Sequence, residues 1–176
     1  EGDVNINQLP SFDIEYMFLK LRANSVSDIA KLRFTNPDDG KTTDVEVDLK
    51  EVEITWDDNH TADINLTDDI MLTMKYPTYD TIMNVEVDTS TTDITMNMIK
   101  ECVDKVYSGP DGEQVDQFKD HNEKEVDEFI DSLTTRNFED IQNFFNTMPK
   151  LEHTINYKMG GKKKTHTFRG IGDFFP

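Results

Sequence analysis

Apolar residues along this chain switch between helical and strand spacing, and the switches outline its elements. From Ser11 to about Asn24, Ile14, Met17, Phe18 and Leu21 recur at i, i+3, i+4 and i+7. This predicts a helix capped by Ser11, with that stripe as its apolar face. "DIAKLRFT" then alternates, and after the turn-forming "NPDDGK" the stretch "TTDVEVDL" alternates again, so the two predict a hairpin. Pairing Leu32 with Val45 and Ala30 with Val47 puts all four on one face, and the same register sets Arg33 opposite Asp44 and Lys31 opposite Glu46. The apolar pattern decides the pairing, and the exposed charges help exclude slips.

Alternation continues through Val52, Ile54 and Trp56, then Ile64 and Leu66, then Ile70, Leu72, Met74 and Tyr76, before Pro77, which cannot donate to a ladder. From about Thr92 the period becomes helical, with Ile94, Met98, Cys102 and Val106 in a stripe expected to run as far as Gly109-Pro110. "GPDGEQVDQFKDH" reads as a polar connection. Asn122 and Glu125 have capping-box spacing ahead of Val126, Phe129, Ile130 and Leu133, and Thr134 and Thr135 break that helix. The next helix carries Phe138, Ile141, Phe144, Phe145 and Met148 before Pro149. Its aromatic stripe reads as core, since a buried ring contributes roughly 1.5–3 kcal/mol.

"LEHTINYKMGGKKKTHTFRG" alternates on both sides of Gly160-Gly161, the pair that a tight primed turn favours. A two-residue turn sets Glu152 opposite Arg169, Thr154 opposite Thr167 and Ile155 opposite His166. The fold class expected is α+β: an antiparallel β-rich N-terminal half, a helical second half and a C-terminal β-hairpin. The regions are an N-terminal helix region at 1–25, a β-rich region at 26–90, a helical region at 91–150, and the hairpin and tail at 151–176. They are expected to form one compact unit or two closely packed subdomains.

Charge narrows the partners. The chain has 176 residues, 35% of them apolar, and no apolar run near the roughly eighteen residues of a membrane span. With 36 acidic against 18 basic residues its net charge is −18, which argues against nucleic acid and anionic membrane and leaves protein as the expected partner. Residues 151–176 run against this trend. Five bases (Lys158, Lys162, Lys163, Lys164, Arg169) and two acids (Glu152, Asp173) make that segment +3 and the remainder −21.

The lysines fall at the hairpin tip, and "IGDFFP" must bury Phe174 and Phe175 or present them to another chain. The expectation is a partner-docking element in which Lys162, Lys163 and Lys164 steer association while Phe174 and Phe175 anchor it; the plainer reading is a solvated turn. The tip has no interleaved aromatics for base stacking, so an acidic protein patch suits it better than nucleic acid.

Candidate chemistry is sparse. Asp57, Asp58, His60, Asp68 and Asp69 lie close in sequence and offer oxygen and nitrogen ligands, but in so acidic a chain such clusters arise from composition, and neither an EF-hand nor an H-E-x-x-H pattern occurs. His153 and His166 would lie diagonally on one hairpin face, too few ligands for a metal site. The single Cys102 excludes an intrachain disulfide and is expected in the core. There is no G-x-S-x-G, cysteine–histidine signature or phosphate-binding glycine loop. No catalytic, cofactor or metal site is expected. The chain opens at Glu1 without a charged start and apolar stretch, so no secretory signal is expected.

Three stretches, "LPSFDIEYMFLKLRANSV", "MKYPT" and "FFNTMPKLEHTINY", together resemble the baseplate hub subunit or hub assembly protein family of T-even-like contractile-tailed bacteriophages and their marine relatives. The resemblance implies a non-enzymatic role in building a tail baseplate hub, with other tail or hub proteins as partners. It also implies residence in the host cytoplasm during assembly or in the virion tail, and a further N-terminal segment ahead of this sequence. Thr35, Thr42 and Thr43 stand where some relatives are expected to carry cysteines, so a zinc ribbon is not available here. The competing function is an acidic interaction module, such as an inhibitor or nucleic-acid mimic, that would bind through the −21 portion.

Overall fold

A computed structural model describes residues 5–37, 39–84, 91–109 and 114–175. In chain order the elements are α1 (Ser11–Ser25), β1 (Ile29–Thr35), β2 (Thr42–Asp48), β3 (Ile54–Thr55), β4 (Asp63–Asn65), β5 (Ile70–Met74), α2 (Tyr79–Asn84) and α3 (Thr91–Cys102). They continue with β6 (Val103–Ser108), β7 (Gln114–Gln117), α4 (Glu123–Asp131), α5 (Thr135–Thr147), β8 (Lys150–Met159) and β9 (Lys162–Arg169). All sheet pairings among them are antiparallel, and the fold is α+β. The chain divides into two compact units interleaved in sequence: a first unit of residues 1–11 and 57–148, and a second of residues 12–56 and 149–176.

In the second unit, β1 and β2 pair in the expected register, with Leu32 opposite Val45 and Arg33 opposite Asp44. Two guanidinium bonds join Arg33 to the Asp44 carboxylate, at 2.6 and 3.1 Å. A three-stranded sheet runs β3-β8-β9. The buried residues Leu19, Ala23, Leu32, Val47, Leu49, Val52, Leu151 and Phe168 share one core.

Helix α1 begins at Ser11 itself, whose backbone N–H donates to the Pro77 carbonyl at 3.1 Å. Its face differs from expectation. Phe12, Leu19 and Ala23 are buried, while Met17, Phe18 and Leu21 are 44, 55 and 66% exposed. Apolar residues cover more than one side of this helix, so periodicity alone could not choose the inner one. Trp56 departs from its expected strand in the same way: Val52 is fully buried, whereas Trp56 is exposed and meets Phe12 only edge-on at 6.4 Å.

The first unit holds the sheet β4-β5-β6-β7 and helices α2 to α5. Its core is built from Ile64, Leu72, Met74, Ile99, Cys102, Val103, Phe118, Ile130, Ile141 and Phe144. Here the helix expected to reach Gly109 stops at Cys102, and Val103–Ser108 is a strand pairing with β5, Val106 opposite Leu72. β-branched and aromatic residues (Val103, Val106, Tyr107) suit a pleated surface, and β5 supplies an edge whose ladder groups must be satisfied. The connection expected to be merely polar includes a strand as well, since Gln114–Gln117 pairs with β6 and Phe118 is buried beyond it.

The two last helices start as their sequences indicate. Asn122 and Glu125 form a reciprocal capping box at α4, and Thr134 caps α5 with Asn137 in the reciprocal position. Asn137, itself buried, also donates its side-chain amide to the Leu66 carbonyl at 3.2 Å.

Candidate interaction surface

The C-terminal hairpin is the most polarised element of the second unit. β8 and β9 pair from Glu152–Arg169 to Met159–Lys162, which includes Thr154 opposite Thr167 and Ile155 opposite His166. At the turn Gly160 and Gly161 have φ of +56° and +77°, the left-handed conformation that a primed two-residue turn demands and that glycine adopts without penalty. One hairpin face is aromatic: Phe34 of β1 stacks on Tyr157 at 4.9 Å and tilts against His166 at 4.8 Å. His166 in turn meets Phe168 edge-on at 4.6 Å. His166 therefore lies on a packed surface, and His153 stands opposite Phe168 in the ladder.

The tip is the opposite in character. Lys158, Lys162, Lys163 and Lys164 are exposed, and none forms an ion pair among the described residues. Lys158 lies directly across from Lys163, a like-charged pair that costs stability locally. The chain thus holds unneutralised positive charge in a fixed place.

The tail corrects one part of the docking expectation. Phe174 is 1% exposed and stacks on Phe168 at 5.0 Å within the second unit's core, so it is not presented for another chain. The turn that brings it inward has identifiable causes. Gly170 takes φ +67°, and the Arg169 N–H donates to Asp173 Oδ2 at 2.8 Å, closing a short 3-10 turn over Ile171–Phe174. Glu15 of α1 stands beside it. Burial raises its pKa, while a hydrogen bond from the Ile171 backbone partly offsets this. Phe175 is half-buried, with the Arg22 guanidinium 5.7 Å from its ring centre.

Other candidates from the sequence are structural. The His60 ring lies against Tyr76 at 5.6 Å and Phe144 at 5.1 Å, and its Nδ1 is 2.9 Å from Thr147 Oγ1. Burial lowers its pKa despite the nearby Asp57. Among the described residues no three His, Cys, Asp or Glu side chains converge as a metal site would need. Cys102 is fully buried, which pushes its thiol up to about 12. His121 pairs with two carboxylates, with Nε2 2.8 Å from Asp116 and Nδ1 3.2 Å from Glu125; these two bonds raise its pKa.

Two features are visible only with the fold in hand. The outward side of α1 shows Met17, Phe18 and Leu21, and in the first unit Ile6, Tyr79, Ile82 and Met83 are exposed. The all-round apolar character of α1 is the sequence signal that could have flagged the former. The charge also partitions by unit: the first unit has 24 acidic and 6 basic residues, the second 12 of each, so the whole net charge of −18 belongs to the first. Among the described residues no helix is long and apolar enough to cross a membrane.

A family model described as T4 bacteriophage base plate protein matches residues 1–176, and the chain belongs to that family. No curated protein and no solved structure matches it.

Proposed function

We propose that this member of the T4 bacteriophage base plate protein family is a non-enzymatic structural or assembly component of the baseplate hub, acting through contacts with other tail proteins. The match over the whole chain supports the baseplate part of this reading, and the resemblance of the three quoted stretches supports its hub part. A docking role for the hairpin tip is supported by Lys162, Lys163 and Lys164, which are exposed on a paired hairpin and form no ion pair among the described residues, an arrangement suited to steering an acidic protein surface into register. Phe175, half-buried at the chain end, is the aromatic residue that remains near the surface there.

The test is reconstitution with the hub proteins of the same phage. Co-purification is expected, with association slowed roughly tenfold at low salt by the triple replacement of Lys162, Lys163 and Lys164 with Ala and with most of its salt dependence lost. Absence of the chain from purified hub complexes and from assembly intermediates seen by electron microscopy would refute the hub reading. Salt-sensitive binding of the first unit to a basic protein outside the tail would then favour an acidic inhibitor or mimic.

A further inference from the structure

The first unit carries an apolar cleft that its described residues do not fill. Its volume is about 540 Å³, and it runs between α3 and α5. Buried Ile99 and Ile141 form the floor, and half-buried Ile94, Met98, Phe138 and Phe145 form the walls. Phe138 and Phe145 are seven residues apart on α5, so the walls offer two apolar contacts about 10 Å apart along the helix. That spacing matches the i and i+7 anchors of an amphipathic helix seated in a groove. Met98, and Met96 beside it, are flexible side chains that adapt to whatever packs on them.

Through Met96 and Phe138 this cleft continues into a second one of about 500 Å³, between α3 and α4, which is lined by Asp93, Asp127 and Asp131. Asp127 is paired with Lys100. Asp131, by contrast, is exposed and forms no ion pair among the described residues. It is also the last residue of α4, where the helix dipole favours a cation and disfavours a carboxylate. A partner's lysine or arginine placed there would satisfy both the carboxylate and the helix end.

We infer that the α3–α5 groove is a docking site for an amphipathic helix of another protein, whose apolar stripe fills the cleft and whose bordering Lys or Arg side chains meet Asp131 and the acidic cleft beside it. The inference rests on the proposed role in assembly and specifies the chemistry of one partner. Charge chooses this occupant over a second copy of the chain. Each copy carries −18, all of it on the unit that holds the groove, so two such faces repel, whereas a basic helix is attracted.

The probe is a fluorescein-labelled amphipathic peptide of roughly sixteen residues, with leucines at i, i+3, i+4 and i+7 and lysines bordering them, titrated against the full chain. Two control peptides carry glutamates in place of the lysines, or the same composition scrambled to destroy the stripe. Both controls are expected to bind at least about tenfold more weakly. Met98→Gln is expected to weaken the ordered lysine peptide about tenfold. Asp131→Lys should weaken it several-fold at low salt, with the difference fading at high salt.

Equal binding of the scrambled peptide would reduce the attraction to diffuse acidity and overturn the inference. So would unchanged affinity in Met98→Gln. Should that variant misfold, hydrogen exchange of the unmodified chain decides, because added peptide must protect residues 94–98 and 138–146, and no protection there overturns the proposal. Peptide binding with no association to hub proteins would remove the hub reading and leave the groove standing. Hub association with no peptide binding would do the reverse.

Discussion

Replacing Phe174 by alanine separates a core tail from an interface tail. The ring is 1% exposed, stacked at 5.0 Å on Phe168, itself 1% exposed, in a cluster with Leu19, Val47, Leu49 and Leu151. Burying a phenyl side chain contributes roughly 1.5–3 kcal/mol, and the cavity left by truncation adds to that, so Phe→Ala at such sites costs about 3–5 kcal/mol. The lost ring stacking, about 1 kcal/mol, is contained in that range. With a urea dependence of roughly 1 kcal/mol per molar for a unit this small, the midpoint should fall by about 3–5 M, which is enough to unfold a marginal unit.

Urea titration followed by hydrogen exchange of the β8 and β9 amides reads the effect on the second unit directly. Phe175→Ala serves as the internal contrast. That ring is half-buried and its cation contact with Arg22 adds roughly 0.5–1 kcal/mol, so its loss should be much the smaller. A Phe174→Ala change below roughly 1 kcal/mol would refute the argument and return Phe174 to the surface.

In the first unit Phe144→Ala should cost about 3–5 kcal/mol in denaturant unfolding, because the ring is 1% exposed and contacts Tyr76, His60 and Phe145; a loss near zero would contradict its core position. His121 has a pKa raised above its ordinary 6.5 by Asp116 and Glu125, so its protonation favours the folded state. That stabilisation is complete below about pH 6.5 and disappears as pH rises through the raised value. His121→Gln should therefore destabilise more at about pH 5.5 than at about pH 9, and an equal effect at both would refute the linkage. Cys102, with its thiol pushed up to about 12, should resist an aromatic disulfide reagent at about pH 8 until the chain unfolds; immediate stoichiometric labelling of the native chain would show that it is accessible.

Local chemistry determined a good deal of this structure. Both long hairpins have the registers that their period-two patterns require, because a slip of one residue would turn Leu32 and Val47, or Phe168, toward water. The capping box of α4 and the glycine turn at Gly160-Gly161 are likewise decided within a few residues. The basic tip was legible for the same reason, since charge order along a hairpin follows from its register.

Other features depended on partners far away in sequence. Val103–Ser108 is a strand because β5 offers it an edge, although its spacing also fits a helix. Helix α1 turns Leu19 and Ala23 inward, leaving Met17 and Leu21 outside, because the core that receives it is assembled from β1, β2 and β8. Phe174 is buried because the core that receives it also holds Leu19 of α1, Val47 of β2 and Leu151 of β8. The α3–α5 groove follows from the packing of two helices separated in sequence, and the concentration of all net charge on one unit follows from the interleaving of the chain. Hydrogen-bond periodicity and turn sterics act between near neighbours, so sequence expresses them directly. Which apolar face is covered is settled by the lowest free energy of the whole packed unit, and only the tertiary structure expresses that.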